Sequence, residues 1–362
     1  MYRVERSGTA ETGDPHEPEG ARRSMLVQLQ YLRAVAALMV VYFHAILQLA
    51  KVNPALDATT FVYGETGVDI FFVLSGFVMW LTTSGRAMSP IDFARRRIKR
   101  IVPLYWLATL FSAVVALVAP SLLKSTVFDL PHLIASLFFL PWANAADPST
   151  ITPVVVPGWT LNYEMFFYLI FALLLQLSET RRIPAMFAVF AVILIACRLL
   201  PETTVTRFYG EPIILEFLAG TVLGWLYRQK VLLPKRWAWA ALIIGFAFLF
   251  INEALMPPES RFYAWGIPAI FIVYGAVSID FSRLPFIGWL NYLGDCSYSI
   301  YITHAFTLAF LRVAADRLPI GILQQPVLFV ILSLVLSSIG GAIIHEITTP
   351  RRKVAVASRP PA

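Results

Sequence analysis

The chain has 362 residues, of which 58% are hydrophobic and 14% charged, with a formal charge of +7 and a mean hydropathy of +0.70. That is more apolar side chain than one core can hide, which excludes an ordinary soluble domain and indicates an all-α integral membrane protein with many spans. The basic residues collect in short connections between apolar runs, as cytoplasmic loops do, so the positive charge gives no reason to expect nucleic acid as a partner.

Residues 1–25 are polar, mixed in charge and contain Gly and Pro, and they read as a disordered cytoplasmic tail rather than a signal peptide. Met25, just before the first apolar run, is a second candidate translation start beside Met1. The first run, Leu26 to Ala50, is long enough to cross a bilayer. It carries Arg33 and His44, and an arginine at mid-membrane costs roughly 2.5 to 3.5 kcal/mol unless it faces the protein interior. Their spacing is about three helical turns, which places both on one face with His44 roughly 16 Å further along the axis. Gln30, Ala37 and Gln48 fall on the same side, so this helix has a polar seam.

Further runs follow at about 67–82, 101–119, 159–177, 183–200, 212–227, 237–251, 262–279, 289–311 and 326–345, giving about ten spans. The apolar stretch 130–140, bounded by Pro131 and Pro141, is too short to span and reads as interfacial or re-entrant. Basic residues alternate along the connections: Arg22 and Arg23, Arg86 with Arg95 to Arg100, Arg181 and Arg182, Arg228 to Arg236, Arg283, and Arg351 to Lys353. This places both termini in the cytoplasm, with a membrane domain over 26–346 and a second cytoplasmic tail over 347–362.

Depth along each span then locates the polar side chains. Asp69 and Glu164 enter from the outer side in GVDIFFVLSGF and PGWTLNYEMFFY, and Glu216 does so in EFLAG. Ser297, Tyr301 and His304 share a face of LGDCSYSIYITH, with His304 in the outer half. Arg97 and Arg100 lie one turn apart on the cytoplasmic side and can grip phosphate by forked hydrogen bonds. Each group has a bland alternative: Arg33 snorkelling to headgroups, the histidines packing, Asp69 answering a helix N-terminus, Ser297 and Tyr301 joining helices. His132 and His345 read as interfacial. Cys197 and Cys296 sit inside apolar runs without metal-ligand spacing, so neither a disulfide framework nor a metal site is expected. The sequence contains no phosphate-binding glycine loop, no His-Glu-x-x-His pair and no Gly-x-Ser-x-Gly elbow.

These residues together resemble the membrane-bound acyltransferase family 3, most closely its exopolysaccharide O-acetyltransferase branch. The matching marks are Arg33 with His44, GVDIFFVLSGF at 67–77, RRRIKRIVPLYW at 95–106 and WTLNYEMFFY at 159–168. EFLAG at 216–220, WGIPA at 265–269 and SYSIYITH at 297–304 complete them. The resemblance implies transfer of an acyl group, commonly acetyl, from cytoplasmic acyl-CoA to a hydroxyl of an exopolysaccharide or other cell-surface or lipid-linked glycan. It implies a multi-pass protein of the inner membrane, with polysaccharide assembly machinery as a partner besides the lipid bilayer and the glycan acceptor. Arg33, Arg97 and Arg100 are then expected to hold the acyl-CoA donor, and His44 to act as general base or acyl carrier. Glu164 is expected to orient His44, with Asp69 and His304 as further catalytic groups and Tyr301 or Ser297 as oxyanion donors. A glycan flippase or proton-coupled transporter, and succinyl in place of acetyl transfer, are the alternatives.

Overall fold

The computed structural model describes residues 19–53, 56, 63–119, 126–255, 261–281, 287–317 and 324–349. Of the tails expected at 1–25 and 347–362, residues 1–18 and 350–362 lie outside the described residues. The described chain is almost wholly helical, its only β feature an isolated bridge between Ala143 and Ile151. Each expected spanning run is helical over most of its length, the 262–279 run as a π-helical turn followed by an α-helix. In order the helices are α1 (Glu19–Ala50), α2 (Gly67–Thr83), α3 (Pro90–Val118), α4 (Leu130–Leu137), α5 (Trp159–Leu174) and α6 (Glu179–Leu199). They continue as α7 (Thr204–Tyr209), α8 (Ile214–Arg228), α9 (Lys235–Leu255), α10 (Ile267–Ser278), α11 (Gly288–Arg317) and α12 (Pro326–Thr348).

Two boundaries differ from the apolar pattern. Helix α1 begins at Glu19, so residues 19–25 are helix rather than tail. Helix α3 begins at Pro90, so the arginines expected in a loop stand on its first turns. Local chemistry sets that start: Pro90 takes a position that needs no N–H partner, and the Ser89 hydroxyl accepts from Asp92 N at 3.0 Å. The 130–140 stretch forms the eight-residue α4, capped by Asp129 accepting from His132 N at 2.7 Å, which is too short to span.

Among the described residues, five helices are long and apolar enough to cross a membrane: Val27–Ala50, Tyr63–Thr83, Pro90–Val118, Glu179–Leu199 and Pro326–Thr348. Their surroundings differ. Nearly every side chain of α2 is buried in protein, whereas α6 buries Met186 and Phe190 and presents Phe187, Val192 and Ile195 outward. Helix α3 likewise exposes Leu107, Leu110, Phe111 and Val114. Contiguous apolar faces of this kind suit acyl chains and not water.

The centre of the bundle is packed backbone to backbone, because glycines remove the side chains that would hold helices apart. A Cβ on Gly76 of α2 would lie 2.0 Å from the Phe217 carbonyl oxygen, and one on Gly220 of α8 would lie 2.0 Å from that of Val73. Helix α1 is gripped in the same way on two sides. Gly67 of α2 abuts the Ala36 carbonyl, and Gly294 of α11 abuts that of Gln30, with hypothetical Cβ separations of 2.3 and 2.2 Å. The helix bearing Arg33 and His44 is thereby fixed between α2 and α11. Gly76→Val should force α2 from α8 at a cost of at least about 1 to 3 kcal/mol, read as a lower unfolding temperature and reduced recovery of folded protein in detergent.

Candidate active site

Two polar centres are spaced along the seam of α1. The first gathers around Glu164 on α5. Its carboxylate accepts from Ser75 Oγ of the LSGF segment at 3.0 Å and from the Tyr168 hydroxyl one turn further on. The Arg97 guanidinium lies 5.5 Å from the Tyr168 ring centre and 5.3 Å from that of Phe93, and Arg97 Nη2 reaches Thr82 Oγ1 at 3.4 Å. Arg100 and Glu164 each lie within electrostatic reach of both Arg33 and Arg97. Arg33 Nη1 also donates to Gln30 Oε1 at 3.3 Å, and Gln30 Nε2 donates to Asp295 at 2.6 Å, so the charge of Arg33 is relayed to a carboxylate on α11. The three arginines expected at the donor end therefore do converge, with Arg100 the most exposed.

The second centre is a pair of imidazoles. His44 and His304 lie with ring centres 4.9 Å apart. His44 Nδ1 stands 2.9 Å from the Val40 carbonyl and His304 Nδ1 stands 2.6 Å from that of Tyr301. A carbonyl can only accept, so both Nδ1 atoms carry a proton, and in the neutral ring each Nε2 then presents a lone pair. His304 is fully buried, and its Nε2 meets no partner among the described residues. Two lone-pair nitrogens side by side call for a donor, and a hydroxyl is one.

The expected pairing of Glu164 with His44 is corrected by this geometry. Helix α5 starts level with Tyr301, where Thr160 Oγ1 meets the Tyr301 hydroxyl at 2.9 Å, and runs back to Arg97 at Tyr168. Glu164 lies between, roughly 6 Å from Thr160 along the axis, and Tyr168 at i+4 draws its carboxylate toward the arginines. Spacing along the sequence indicated depth but not which way the side chain turns. Tyr301 is also corrected as an oxyanion donor. Its hydroxyl and that of Thr160 share three contacts with each other and with the Pro157 carbonyl, which uses both protons. Ser297 Oγ, in contrast, is buried without a partner among the described residues.

Asp69 sits in a charge cluster and makes its hydrogen bond to an arginine. It is fully buried and accepts from Arg261 Nη2 at 2.9 Å, while Arg261 Nη1 pairs with Glu65. The guanidinium lies 5.4 Å from the Trp159 ring centre and 4.7 Å from that of Trp265. Glu216, also fully buried, comes up against Asp69. A π-helical turn, Phe262–Gly266, brings bare backbone to it, since a Cβ on Gly266 would lie 2.7 Å from Glu216 Oε1. Pro268 removes an N–H that a regular helix would use, which favours the wider turn. Sequence reasoning singled out neither Arg261 nor Glu65. Nothing in their local pattern marks them, because their partners are distant in the chain.

Among the described residues no cluster of His, Cys, Asp and Glu could hold a metal ion. Apolar helices facing outward, an arginine-lined carboxylate and a pair of lone-pair imidazoles define an all-α membrane protein equipped for acid–base chemistry on a hydroxyl. Residues 26–346 match the acyltransferase domain family known as Acyl_transf_3, and the chain belongs to that family. It is therefore an acyltransferase. It is 37% identical over 265 residues to the exopolysaccharide production protein ExoZ of Rhizobium meliloti (strain 1021), a match covering 72% of this chain and 82% of that protein. It is 28% identical over 319 residues to the acyltransferase MdmB of Streptomyces mycarofaciens, covering 79% of each. With the putative membrane-bound transacylase BcsY of Komagataeibacter xylinus it shares 26% identity over 311 residues, covering 79% of this chain and 73% of that one. No solved structure matches the chain.

Arg261→Ala should cost about 3 to 5 kcal/mol, because it strands the buried Asp69 carboxylate. Thermal unfolding in detergent measures this, and adding Asp69→Asn should restore part of the loss.

Proposed function

We propose that this acyltransferase moves an acetyl group from cytoplasmic acetyl-CoA to a hydroxyl of an exopolysaccharide or other cell-surface or lipid-linked glycan. The proposal has about ten spans of the inner membrane over 26–346, with both tails cytoplasmic and polysaccharide assembly machinery presenting the acceptor. The names borne by the relatives support the glycan acceptor, and the alternation of basic connections supports the topology. The observation that carries the reading is the imidazole pair, with each Nδ1 tied to the main chain and each Nε2 left as a base.

In this reading the CoA phosphates dock at Arg97 and Arg100, with Arg33 further along α1, and the thioester arm extends toward His44. Glu164 serves the donor end: fixed by Ser75 and Tyr168, it keeps three like charges close to one another until phosphate arrives. At the other end His44 Nε2 takes the proton of the acceptor hydroxyl while that oxygen attacks the thioester carbonyl. The ester C–O bond forms, the C–S bond breaks with its electron pair leaving on sulfur, and the proton held by His44 neutralises the thiolate. His304 completes the acceptor pocket and Ser297 supplies a donor to the oxyanion. Asp69 acts through the Arg261 cluster and does not touch the reacting atoms.

His44→Ala should abolish acetylation of surface polysaccharide at unchanged protein level, measured as ester content, and retention of normal content would defeat the reading. Arg97→Ala with Arg100→Ala should raise the KM for acetyl-CoA by about 10-fold or more, since each charge-assisted contact contributes roughly 1.5 to 3 kcal/mol. Initial rates in membrane vesicles measure it.

A further inference from the structure

With Glu164 turned toward the arginines, the acidic neighbour of His44 has to be sought elsewhere. Glu65 stands in the short helical turn at 63–66 that leads into α2, and the chain on both sides of it is pressed onto α1. A Cβ on Gly64 would lie 2.6 Å from the Met39 carbonyl oxygen and 3.1 Å from Phe43 Cβ. One on Gly67 would lie 2.9 Å from Val40 Cγ2. Val40 is the residue whose carbonyl holds His44 Nδ1, and the Phe43 ring lies edge-on to the imidazole with centres 5.0 Å apart. Beside Glu65, Tyr63 stacks on Tyr42 of α1 with ring centres 5.6 Å apart, and their hydroxyls meet at 3.0 Å. The turn is therefore clamped against the segment of α1 that bears His44.

The Glu65 carboxylate is in electrostatic reach of both His44 and Tyr301. It is held from behind by Arg261, which also grips Asp69 and lies over two tryptophan rings. A guanidinium anchored at four points is a rigid support. A carboxylate on it is oriented without a further hydrogen bond, and with 24% exposure it is not sealed in by the pair.

We propose that Glu65, supported by Arg261, is the positioning residue for His44. Its carboxylate stabilises the imidazolium that exists while His44 carries the acceptor hydroxyl's proton, and it neither gains nor loses a proton or a covalent bond itself. The carboxylate interacts with charge that develops during transfer, so its removal acts on turnover and not on donor binding. This assignment rests on the acyl-transfer reading above.

The test follows transfer of radiolabelled acetyl from acetyl-CoA to surface polysaccharide in membrane vesicles carrying the full chain. Glu65→Gln keeps the shape and removes the charge. It should lower kcat on the order of 10- to 100-fold, with the KM for acetyl-CoA and the unfolding temperature unchanged. Glu65→Asp, which restores the charge, should recover a large part of kcat. Wild-type kcat in Glu65→Gln, alongside an inactive His44→Ala, overturns the role of Glu65 and leaves the acyl-transfer reading standing. An active His44→Ala overturns that reading instead. If Glu65→Gln and Glu65→Asp lose activity equally and in step with unfolding temperature, Glu65 is structural and the inference is wrong.

Discussion

Helix α1 can carry a guanidinium and an imidazole through the bundle because glycines let two other helices come up against its backbone. Gly67 of α2 and Gly294 of α11 bring main chain to main chain at Ala36 and Gln30. At that range a short side chain on one helix reaches the polar group of the next, which is how Gln30 joins Arg33 to Asp295 and how His304 comes beside His44. Any larger residue at these contacts would separate the helices and leave the same groups without partners in a medium that offers no water.

The polar interior that results is divided by charge. One centre sets three arginines against Glu164, with Asp295 joined to Arg33 through Gln30, an excess of cation that suits a polyanionic ligand. The other has neutral imidazoles beside a cluster in which Asp69, Glu65 and Glu216 surround Arg261. In the proposed reaction these would meet the two demands of acyl transfer from a phosphorylated thioester: an anchor for the donor's charge and a base where the new bond forms. Helix α1 spans both. The separation along it, roughly 16 Å, suits a donor whose reactive end lies well away from its phosphates.

Rigidity is distributed to match. The acceptor end is braced by the Tyr301, Thr160 and Pro157 hydrogen bonds and by stacking of Arg261 on Trp159 and Trp265. Beyond it, the connection before α5 is tied into place by His132 Nε2 at 2.9 Å from the Thr152 carbonyl and by Ser136 Oγ accepting from Val154 N at 3.0 Å. His132 is thus part of the scaffold and not of the chemistry. The arginine centre has a freer edge, since Arg95, Arg96, Lys99 and Arg100 are exposed, which fits the proposed entry of a large donor there.

Much of this was legible in the sequence because a bilayer imposes a length and a polarity that every span must meet. The apolar runs became helices, the short stretch between Pro131 and Pro141 became a short helix, and the face shared by Arg33 and His44 followed from helical period alone. The nearness of Arg100 to Arg97 was legible too, since the two stand one turn apart on one helix. What the tertiary structure alone decided is which polar groups meet. Glu164 has the depth to serve either centre, and Tyr168 with Ser75 commits it to the arginines. Glu65 and Arg261 are far apart in sequence, and only the packing of α2 against the π-helical turn before α10 makes them a pair. Periodicity is a property of one helix and can be read along the chain. The direction in which a side chain turns depends on the neighbour it finds, and that neighbour is set by how helices distant in sequence come together.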